Sequence, residues 1–284
     1  MNPEEQKVLD SIAYILHQGD ERTNRTGVVA KSVFGLRFEF NLENGTFPLQ
    51  TSRALPLKTI LSELKWICSG QTKTTLGIWK ANTTREFIDA QNLEIPLEEG
   101  DIGASYGFQM RHFGADMTRP LEAVNTGYDQ LAQVIHLLRH NPQSRRILIS
   151  LWNPCDLSRT PLPPCMFMYQ FYVSPQGLEC QVNSRSSDIA LAGGWNVAFA
   201  ALLTFVVGKL SGHTPKRLIW VTGDTHIYEP NYESARVLSE RIPKPFPRLS
   251  ITSRLKDIDD IQNLEVSLEG YEYVKPNLSF KMIA

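Results

Sequence analysis

A cysteine that follows two prolines is the first residue of this sequence that could carry chemistry. Cys165 stands directly after Pro163 and Pro164 and opens a predicted strand. The prolines restrict the backbone just before it, and a nucleophile gains from rigid placement at a strand end. A free cysteine is often a small buried hydrophobic residue instead. The local sequence by itself favours that alternative for Cys165 over a nucleophile.

A carboxylate inside an apolar helix is the second such residue. The segment 56–68 predicts a helix in which Ile60, Leu64 and Ile67 share a face, and Glu63 lies among them by i+3 and i+4 spacing. A carboxylate on an apolar stripe has a raised pKa or a dedicated partner. The alternative, which the local sequence favours, is a residue at the edge of the stripe that reaches water.

Four arginines could bind an anion, since a guanidinium matches phosphate oxygens in a bidentate way. Arg25 lies in a polar, turn-rich loop, Arg145 and Arg146 begin a strand, and Arg185 follows a hairpin. Neighbouring strand residues point to opposite faces, so Arg145 and Arg146 need a bent strand end to share one anion. Plain surface solvation remains the alternative for each of them.

Polar residues also stand before the apolar helix and after the strand that follows that helix. Asn196 begins or precedes the apolar helix and is expected to be its N-cap. Its amide could instead read the edge of a base, because it offers one donor and one acceptor group. Asp224, His226 and Tyr228 cluster in GDTHIY, a predicted loop after a strand. The histidine and the tyrosine could donate to one hydroxyl, although a lone histidine is usually structural.

The elements that must position these residues follow from the hydrophobic periodicity. Helices are predicted over residues 3–17, 56–68, 128–139 and 233–241, and in the apolar segment after Asn196. Strands are predicted over residues 30–40, 145–152, 166–173, 178–184 and 217–221, with two more near the end of the chain. The mixture shows no regular βαβ alternation. It predicts an α+β fold in a single domain, residues 1–284.

Composition excludes several classes of protein. The chain has 284 residues, 42% of them hydrophobic and 21% charged, which is typical of a globular protein. The net charge is -1, so no global positive field exists to bind nucleic acid or an anionic membrane. The apolar run 197–208 is too short to span a bilayer, and the polar N-terminus does not resemble a signal peptide. Four cysteines without a CxxC pair predict no metal site, free thiols and a cytoplasmic location.

Taken together and in order, the motifs closely resemble those of the thymidylate synthase family. They are NRTG (24–27), FPLQTSR (47–53), ELKW (63–66), IWKANTTREF (78–87), SYGFQMRHFGA (105–115), NPQSRRILISLWNP (141–154), LPPC (162–165), RSSD (185–188), WNVAFAALLT (195–204) and GDTHIY (223–228). The resemblance covers nearly the whole chain. It implies the fold of that family, a mixed β-sheet with flanking helices.

The resemblance also implies a role for each matching residue. The catalytic positions are Cys165, Glu63, Tyr106 and Asp188. The phosphate positions are Arg25, Arg145, Arg146, Arg185 and Ser186, and the base and sugar positions are Asn196, His226 and Tyr228. The folate positions are Trp79, Ile78 and Asp188. In the family the paired arginines come from the other subunit, so a homodimer in which Arg145 and Arg146 reach the partner's site is expected.

The implied reaction uses dUMP and 5,10-methylenetetrahydrofolate, without a metal. The thiolate of Cys165 adds to C6 of uracil and makes C5 nucleophilic, and C5 then takes up the methylene carbon. Glu63 helps remove the C5 proton. The exocyclic methylene group that results has two fates. Hydride from the folate gives thymidylate, whereas water gives 5-hydroxymethyl-dUMP.

Departures from the family pattern lie close to this chemistry. Met166 follows the nucleophile where the family usually has histidine, and Ala192-Gly193-Gly194-Trp195 replaces a Gly-x-Pro-Phe segment. Ala104-Ser105 and Met110 are further changes near the tyrosine. A kept scaffold with a changed pocket suggests a changed last step. Our leading expectation is therefore a dUMP hydroxymethylase of the kind found in viruses that modify their DNA.

Other functions remain open. A thymidylate synthase is the main alternative, and the retained Trp79 favours it because that indole shields the intermediate from water in the methylating enzymes. An inactive nucleotide-binding paralogue and a cysteine hydrolase that uses Cys165 and His226 are weaker alternatives. The retained Asn196 favours uracil over cytosine, and His226 with Tyr228 favours deoxyribose.

Overall fold

Helices and β-strands follow one another along the chain without a regular alternation. The computed structural model describes residues 2–118 and 127–283. The helices are α1 (Pro3–Gln18), α2 (Leu57–Cys68), α3 (Arg85–Ala90), α4 (Tyr106–His112), α5 (Gln130–His140), α6 (Gly194–Ser211) and α7 (Tyr232–Ser239). The strands are β1 (Asp20–Thr23), β2 (Val29–Asn41), β3 (Leu148–Ser150), β4 (Met166–Ser174), β5 (Gly177–Asp188), β6 (Pro215–Tyr228), β7 (Arg248–Ile251) and β8 (Val266–Glu269).

A mixed six-stranded sheet is the centre of the described part of the chain. Its strand order is β1-β2-β6-β5-β4-β3, and β7 and β8 form a separate two-stranded sheet. The β5–β6 pair is parallel, and the other neighbours in the large sheet are antiparallel. The predicted α+β fold class is therefore confirmed. The predicted domain, 1–284, includes residues 1, 119–126 and 284, which lie outside the described residues.

The two faces of this sheet differ. In β5, Leu178, Cys180 and Val182 are fully buried against the helices, whereas the alternating residues 179, 181 and 183 are only half-buried. This is the predicted period-2 alternation of a half-buried strand. The half-buried residues of β5 share their face of the sheet with Tyr172 of β4, which is 61% exposed, and with Ile219 of β6. One face of the sheet thus lies open in the single chain.

Helix α6 is the core helix of the fold. Together with the π-helical turn Ile189–Gly193 that precedes it, the segment is 23 residues long and apolar enough to cross a membrane. Length alone, the basis of our sequence argument, therefore does not exclude a membrane span. Packing does distinguish this helix, because most of it is buried inside the fold against the sheet and helices α2 and α5.

Two segments predicted as loops are strands. Residues Asp20–Thr23 form β1, and all four side chains are exposed, so no hydrophobic alternation marks the strand. The GDTHIY segment continues β6 up to Tyr228, because β2 and β5 provide backbone partners on both sides. Turn-forming residues led to the loop predictions. Pairing with the next strand, β2, makes Asp20–Thr23 a strand, whereas pairing with β2 and β5 extends β6.

The beginning of α6 also differs from the prediction. The helix starts at Gly194, two residues before Asn196, so the N-cap interpretation of Asn196 is wrong. Gly193 and Gly194 are helical rather than loose. A Cβ atom on Gly194 would lie 2.4 Å from Oε1 of Gln50. Close packing therefore explains the absence of a side chain at this position.

Candidate active site

One cavity of about 430 Å³ brings together most of the predicted site residues. The predicted residues that line it are Arg25, Glu63, Trp79, Tyr106, Cys165, Arg185, Ser186, Asp188, Asn196, His226 and Tyr228. The strand topology explains why these residues lie close together. Strands β5 and β6 run parallel, so their carboxyl ends meet, and Asp188 pairs with His226 there. Cys165 directly precedes β4, which pairs with β5.

The backbone of Cys165 is fixed from several directions. Its N–H donates to the Tyr106 hydroxyl at 2.8 Å, and its carbonyl accepts from the N–H of Arg185 at 2.9 Å. The Arg185 guanidinium donates to the carbonyls of Pro163 at 2.9 Å and Pro164 at 3.0 Å. The two prolines thus position the cysteine through their carbonyl groups as well as through their restricted torsions.

Two other cysteines, Cys68 and Cys180, differ from Cys165 in their surroundings. Cys68 and Cys180 are fully buried, and burial raises the pKa of each thiol to about 12. Cys165 is half-buried and faces the cavity instead. Since the thiolate is the nucleophile, Cys165 is the thiol placed to react. The alternative of a small buried hydrophobic residue fits Cys68 and Cys180 rather than Cys165.

Glu63 is buried in the wall of the cavity and does not reach water along an edge. Its side chain is on α2, and the residue is only 7% exposed. Trp79 donates its indole N–H to Oε1 at 2.8 Å, and Trp195 donates to Oε2 at 2.6 Å. Burial raises the pKa of Glu63 to about 7, against the opposing effect of the two indole donors. This pKa suits a proton acceptor at neutral pH.

Only part of the arginine set lies at the cavity. Arg25, from the turn between β1 and β2, lines it together with Arg185 and Ser186. Arg145 and Arg146 are exposed, precede β3, and are not among the described residues that line the cavity. The bent strand end that would bring both into one site of the same chain is not observed.

A chain of polar contacts fixes the carboxyl end of β6. Asp224 accepts from Arg22 at 2.9 Å through Oδ2, and its Oδ1 lies 3.0 Å from Nδ1 of His226. The Tyr228 hydroxyl accepts from the amide of Asn24 at 3.1 Å. Because Asp224 occupies Nδ1, the Nε2 atom of His226 is the ring nitrogen left for a ligand. Asn196, in the first turn of α6, lines the same cavity.

An apolar lobe of about 300 Å³ adjoins this cavity and shares Glu63 and Trp79 with it. Its other lining residues are Ile78, Asn82, Leu162, Leu191, Ala192, Trp195 and Met282. Asp188 stands where β5 ends, and its Oδ1 accepts from the N–H of Leu191 at 3.0 Å. Its Oδ2 is buried and, within residues 2–118 and 127–283, without a hydrogen-bond partner. A buried carboxylate oxygen without a partner fits a ligand that brings an N–H donor.

The sequence did not reveal every residue of the site. In the sequence Trp195 stands out only as part of a departure from the family pattern, because nothing there connects it with Glu63, 132 residues away. Asn24, Asn82 and Met282 also line the cavity or the lobe. Across the described part of the chain, no group of three or more His, Cys, Asp or Glu residues is arranged to hold a metal ion. A cavity with a fixed cysteine, a buried carboxylate and arginines suits covalent chemistry on an anionic ligand.

The whole chain is similar to enzymes that perform such chemistry. A family model described as thymidylate synthase matches residues 6–284. The thymidylate synthase of Equine herpesvirus 2 (strain 86/87) is 40% identical over 274 residues, covering 94% of each chain. The thymidylate synthase of Homo sapiens is 38% identical over 286 residues, covering 98% of this chain and 90% of that protein. That of Saccharomyces cerevisiae is 37% identical over 298 residues, covering 99% and 97%.

The chain therefore belongs to the thymidylate synthase family. It is an enzyme of a family of pyrimidine C5 methyltransferases, which act on dUMP with methylenetetrahydrofolate as co-substrate. The resemblance that the motifs carry is confirmed at the level of the family. The relatives named here are thymidylate synthases, which favours the methylating reaction over the hydroxymethylase that we expected first.

Proposed function

We propose that this enzyme converts dUMP and 5,10-methylenetetrahydrofolate into thymidylate and dihydrofolate. The observation that carries the proposal is the single cavity in which Cys165, Glu63 and Asn196 meet beside an apolar lobe. A nucleotide needs the polar cavity, and a pterin ring needs the apolar one. The hydrolase alternative accounts for neither the arginines nor the lobe.

In this proposal the nucleotide is held at three points. Arg25, Arg185 and Ser186 bind the phosphate on the side where β5 ends. The Asn196 amide pairs with the base, since it can donate to one carbonyl and accept from the ring N–H of uracil. His226 and Tyr228 bind the deoxyribose hydroxyl from the carboxyl end of β6.

The chain's own groups carry the covalent and proton-transfer steps. The Cys165 thiolate forms a bond to C6, and the electron pair of the C5–C6 double bond moves so that C5 becomes nucleophilic. Tyr106 holds the backbone of Cys165 during this step. After C5 has bonded to the one-carbon unit, Glu63 accepts the C5 proton. The electron pair of the broken C5–H bond then expels the folate nitrogen from the one-carbon unit, which leaves a methylene group on C5. Hydride from the folate adds to this methylene, and the electron pair returned to the ring expels the Cys165 thiolate from C6 and restores the C5–C6 double bond. The folate supplies the methylene carbon and the hydride that reduces it to a methyl group.

The lobe next to Glu63 is suited to the folate. Trp79 and Ile78 provide apolar walls. Asp188 lines the adjoining cavity, and its Oδ2, which has no hydrogen-bond partner among the described residues, can accept from a pterin N–H. Burial raises the pKa of Asp188, so an N–H donor from the ligand would also stabilise its charged form.

The hydroxymethylase remains the competing reaction because Met166, which lines the cavity, departs from the histidine usual in the family. Its sulfur accepts from the Tyr169 hydroxyl at 3.6 Å. The test is to incubate the enzyme with dUMP and methylenetetrahydrofolate, weigh the nucleotide and identify the folate. We expect thymidylate and dihydrofolate. A nucleotide one oxygen heavier, with tetrahydrofolate, would establish the hydroxymethylase instead.

We also propose that the enzyme is a homodimer with Arg145 and Arg146 at the partner's phosphate site. The open face of the sheet supports this, because Tyr172, Ile219 and Leu148 expose apolar surface on it. Arg145 and Arg146 stand immediately before β3, the edge strand of that face. A cytoplasmic location stays a prediction from the free cysteines and is testable by fractionation of the cells that make the protein.

A further inference from the structure

Both carboxylate oxygens of Glu63 bind an indole. The Nε1–Oε1 distance to Trp79 is 2.8 Å, and the Nε1–Oε2 distance to Trp195 is 2.6 Å. An indole N–H is a donor only and cannot take up a proton. Each contact therefore favours the ionised carboxylate, because a charged oxygen is a stronger acceptor than an oxygen of the protonated acid. Neither tryptophan can relay the proton that Glu63 accepts.

The position of Trp195 is fixed by its surroundings. It is the second residue of α6, and the π-helical turn before it is capped by Asp188. Arg53 donates to the carbonyl of Leu191 in the same turn. Gly194, next to Trp195, packs against Gln50. Little freedom remains for the indole to move away from Glu63.

Trp79 is also fixed, by aromatic neighbours. Its ring meets those of Trp66 and Tyr106 edge to face, with centroids 5.5 Å away in each case. The two donors therefore reach Glu63 from two separate elements, the 3-10 helix Gly77–Asn82 and α6. A carboxylate with both oxygens held in this way keeps one orientation relative to the cavity.

The titratable groups that face Glu63 do not compensate its charge. Tyr106 on α4 and Tyr169 on β4 interact with it, with Cys165 beyond Tyr106. Arg25, Arg185, Asp188 and His226 line the same cavity, but burial and the two indoles dominate the pKa of Glu63. Burial raises the pKa of both tyrosines well above the usual value, so both are neutral at physiological pH. From α6 and the 3-10 helix, Glu63 meets the neutral indoles. The indole donors are therefore the main groups that stabilise its charged form.

We propose that Trp195 is a positioning residue for Glu63: its indole N–H keeps the carboxylate ionised and aimed at the substrate, and so sets the pH range in which Glu63 accepts a proton. The inference rests on the proposed function for the identity of that proton. The hydrogen bond between Trp195 and Glu63, and its effect on the titration of Glu63, do not require any substrate.

The first test uses the unmodified sequence. The five indole N–H resonances of the ¹⁵N-tryptophan-labelled enzyme are followed by NMR while the pH is varied. We expect the Trp195 and Trp79 resonances to titrate with one shared midpoint, and this titration to disappear in Glu63→Gln. A Trp195 resonance that does not respond to pH would overturn the proposal. No folding defect of a Trp195 variant can affect this outcome.

The second test removes the N–H and keeps an aromatic ring. In Trp195→Phe, the midpoint for protonation of Glu63 should rise by about one pH unit, since one hydrogen bond to a charged group is lost. Infrared difference spectra against Glu63→Gln report the protonated carboxyl directly. Trp220→Phe is the matched control, because it removes a buried indole N–H that donates to Ser184 instead. An unchanged midpoint in Trp195→Phe would contradict the inference.

A third measurement separates this inference from the proposed function. Release of tritium from dUMP labelled at C5 should follow the same shift to higher pH in Trp195→Phe, with kcat affected more than KM. If the infrared midpoint moves but no tritium is released by any form of the enzyme, Trp195 does position Glu63 and the proposed function is wrong. If tritium release in Trp195→Phe keeps the pH dependence of the unmodified enzyme, the inference is wrong and the proposed function stands.

Discussion

Environment, rather than residue type, separates the cysteines and carboxylates of this protein. Cys165 and Cys180 are both free thiols, yet one faces a cavity and the other is sealed in the sheet. Glu63 and Glu5 are both buried, but Glu5 accepts from the backbone N–H groups of residues 51 and 52 and so has a structural role. Glu63 instead faces the cavity with two indole donors behind it.

The cysteine allows a direct test of the covalent step. Cys165→Ser should lower kcat by at least about 10³-fold, because a hydroxyl is a far weaker nucleophile than a thiolate. It should also form no covalent complex with 5-fluoro-dUMP and methylenetetrahydrofolate, as judged by mass spectrometry of the denatured protein. Cys155→Ser is the matched control, since Cys155 is exposed and outside the lining of the cavity, and it should keep both properties. A persistent adduct in Cys165→Ser would exclude this residue as the nucleophile.

The pKa of Glu63 has a consequence for stability. Burial raises it from 4.5 to about 7. The folded protein thus binds the proton on Glu63 more tightly than the unfolded chain does. The resulting stabilisation of the folded state is present in full below pH 4.5 and is lost as the pH rises through about 7. The loss amounts to about 3 kcal/mol of unfolding free energy.

Glu63→Gln removes this pH dependence. Urea unfolding of the variant and the unmodified protein between about pH 5 and about pH 8 should show the variant gaining relative stability as the pH rises. Glu86→Gln is a suitable control, because Glu86 is exposed on α3. A stability difference that does not change with pH would contradict the raised pKa.

At the scale of elements, the parallel β5–β6 pair and the start of α6 build the site. The pair delivers residues 185–188 and 224–228 to the same end of the sheet. The π-helical turn then leads the chain from β5 into α6, so that Asn196 lines the cavity and Trp195 lines the adjoining lobe. Residues that are far apart in the sequence thus line one cavity, because the elements that carry them are neighbours in the fold.

A substitution of Gly194 tests how tightly the junction between the π-helical turn and α6 is packed. Gly194→Ala should destabilise the protein by about 1–3 kcal/mol despite the better helix propensity of alanine, because the new methyl group would displace Gln50. Gln50 accepts from Arg53, which in turn holds the π-helical turn. Thermal unfolding measures the effect.

Gly77→Ala serves as the control for that substitution. Its Cβ would meet no described atom within 4 Å, so its melting temperature should stay close to that of the unmodified protein. Equal melting temperatures for the two alanine variants would show that the α6 junction tolerates a side chain.

At the scale of the whole molecule, one chain brings only part of the predicted arginine set to its cavity, and one face of its sheet is open. Arg25 and Arg185 line the cavity, but Arg145 and Arg146 lie at the edge of the open face. A C2 dimer through this face would bury Tyr172 and Ile219 and bring the arginine pair of each chain toward the other's cavity. Completion of the site would then depend on association.

Mixing two inactive variants tests this arrangement. One carries Arg145→Ala and Arg146→Ala, and the other carries Cys165→Ser. In a mixed dimer, the chain that keeps Cys165 receives intact arginines from its partner, so random mixing should restore up to about a quarter of the original activity. Each variant alone should stay nearly inactive. Mixed dimers that form, as seen by native mass spectrometry, but remain inactive would exclude crossing arginines.

The sequence by itself determined the α+β class, most of the helices and strands, and the family, because those features depend on hydrophobic periodicity and on motifs spread along the whole chain. The β1 strand needed the structure because its side chains are all exposed and only its pairing with β2 defines it. The continuation of β6 through GDTHIY and the helical start before Asn196 needed the tertiary structure, since partners distant in sequence contact them.

The same division applies to the site. Residue types marked Cys165, the arginines and Asn196 as candidates, but local sequence could not choose between a reactive and a buried cysteine, or between a buried and a solvated Glu63. Burial and hydrogen bonding decided both questions, and both are properties of the folded chain. The contact of Trp195 with Glu63 joins residues 132 positions apart, so only the packing of α6 against α2 could reveal it.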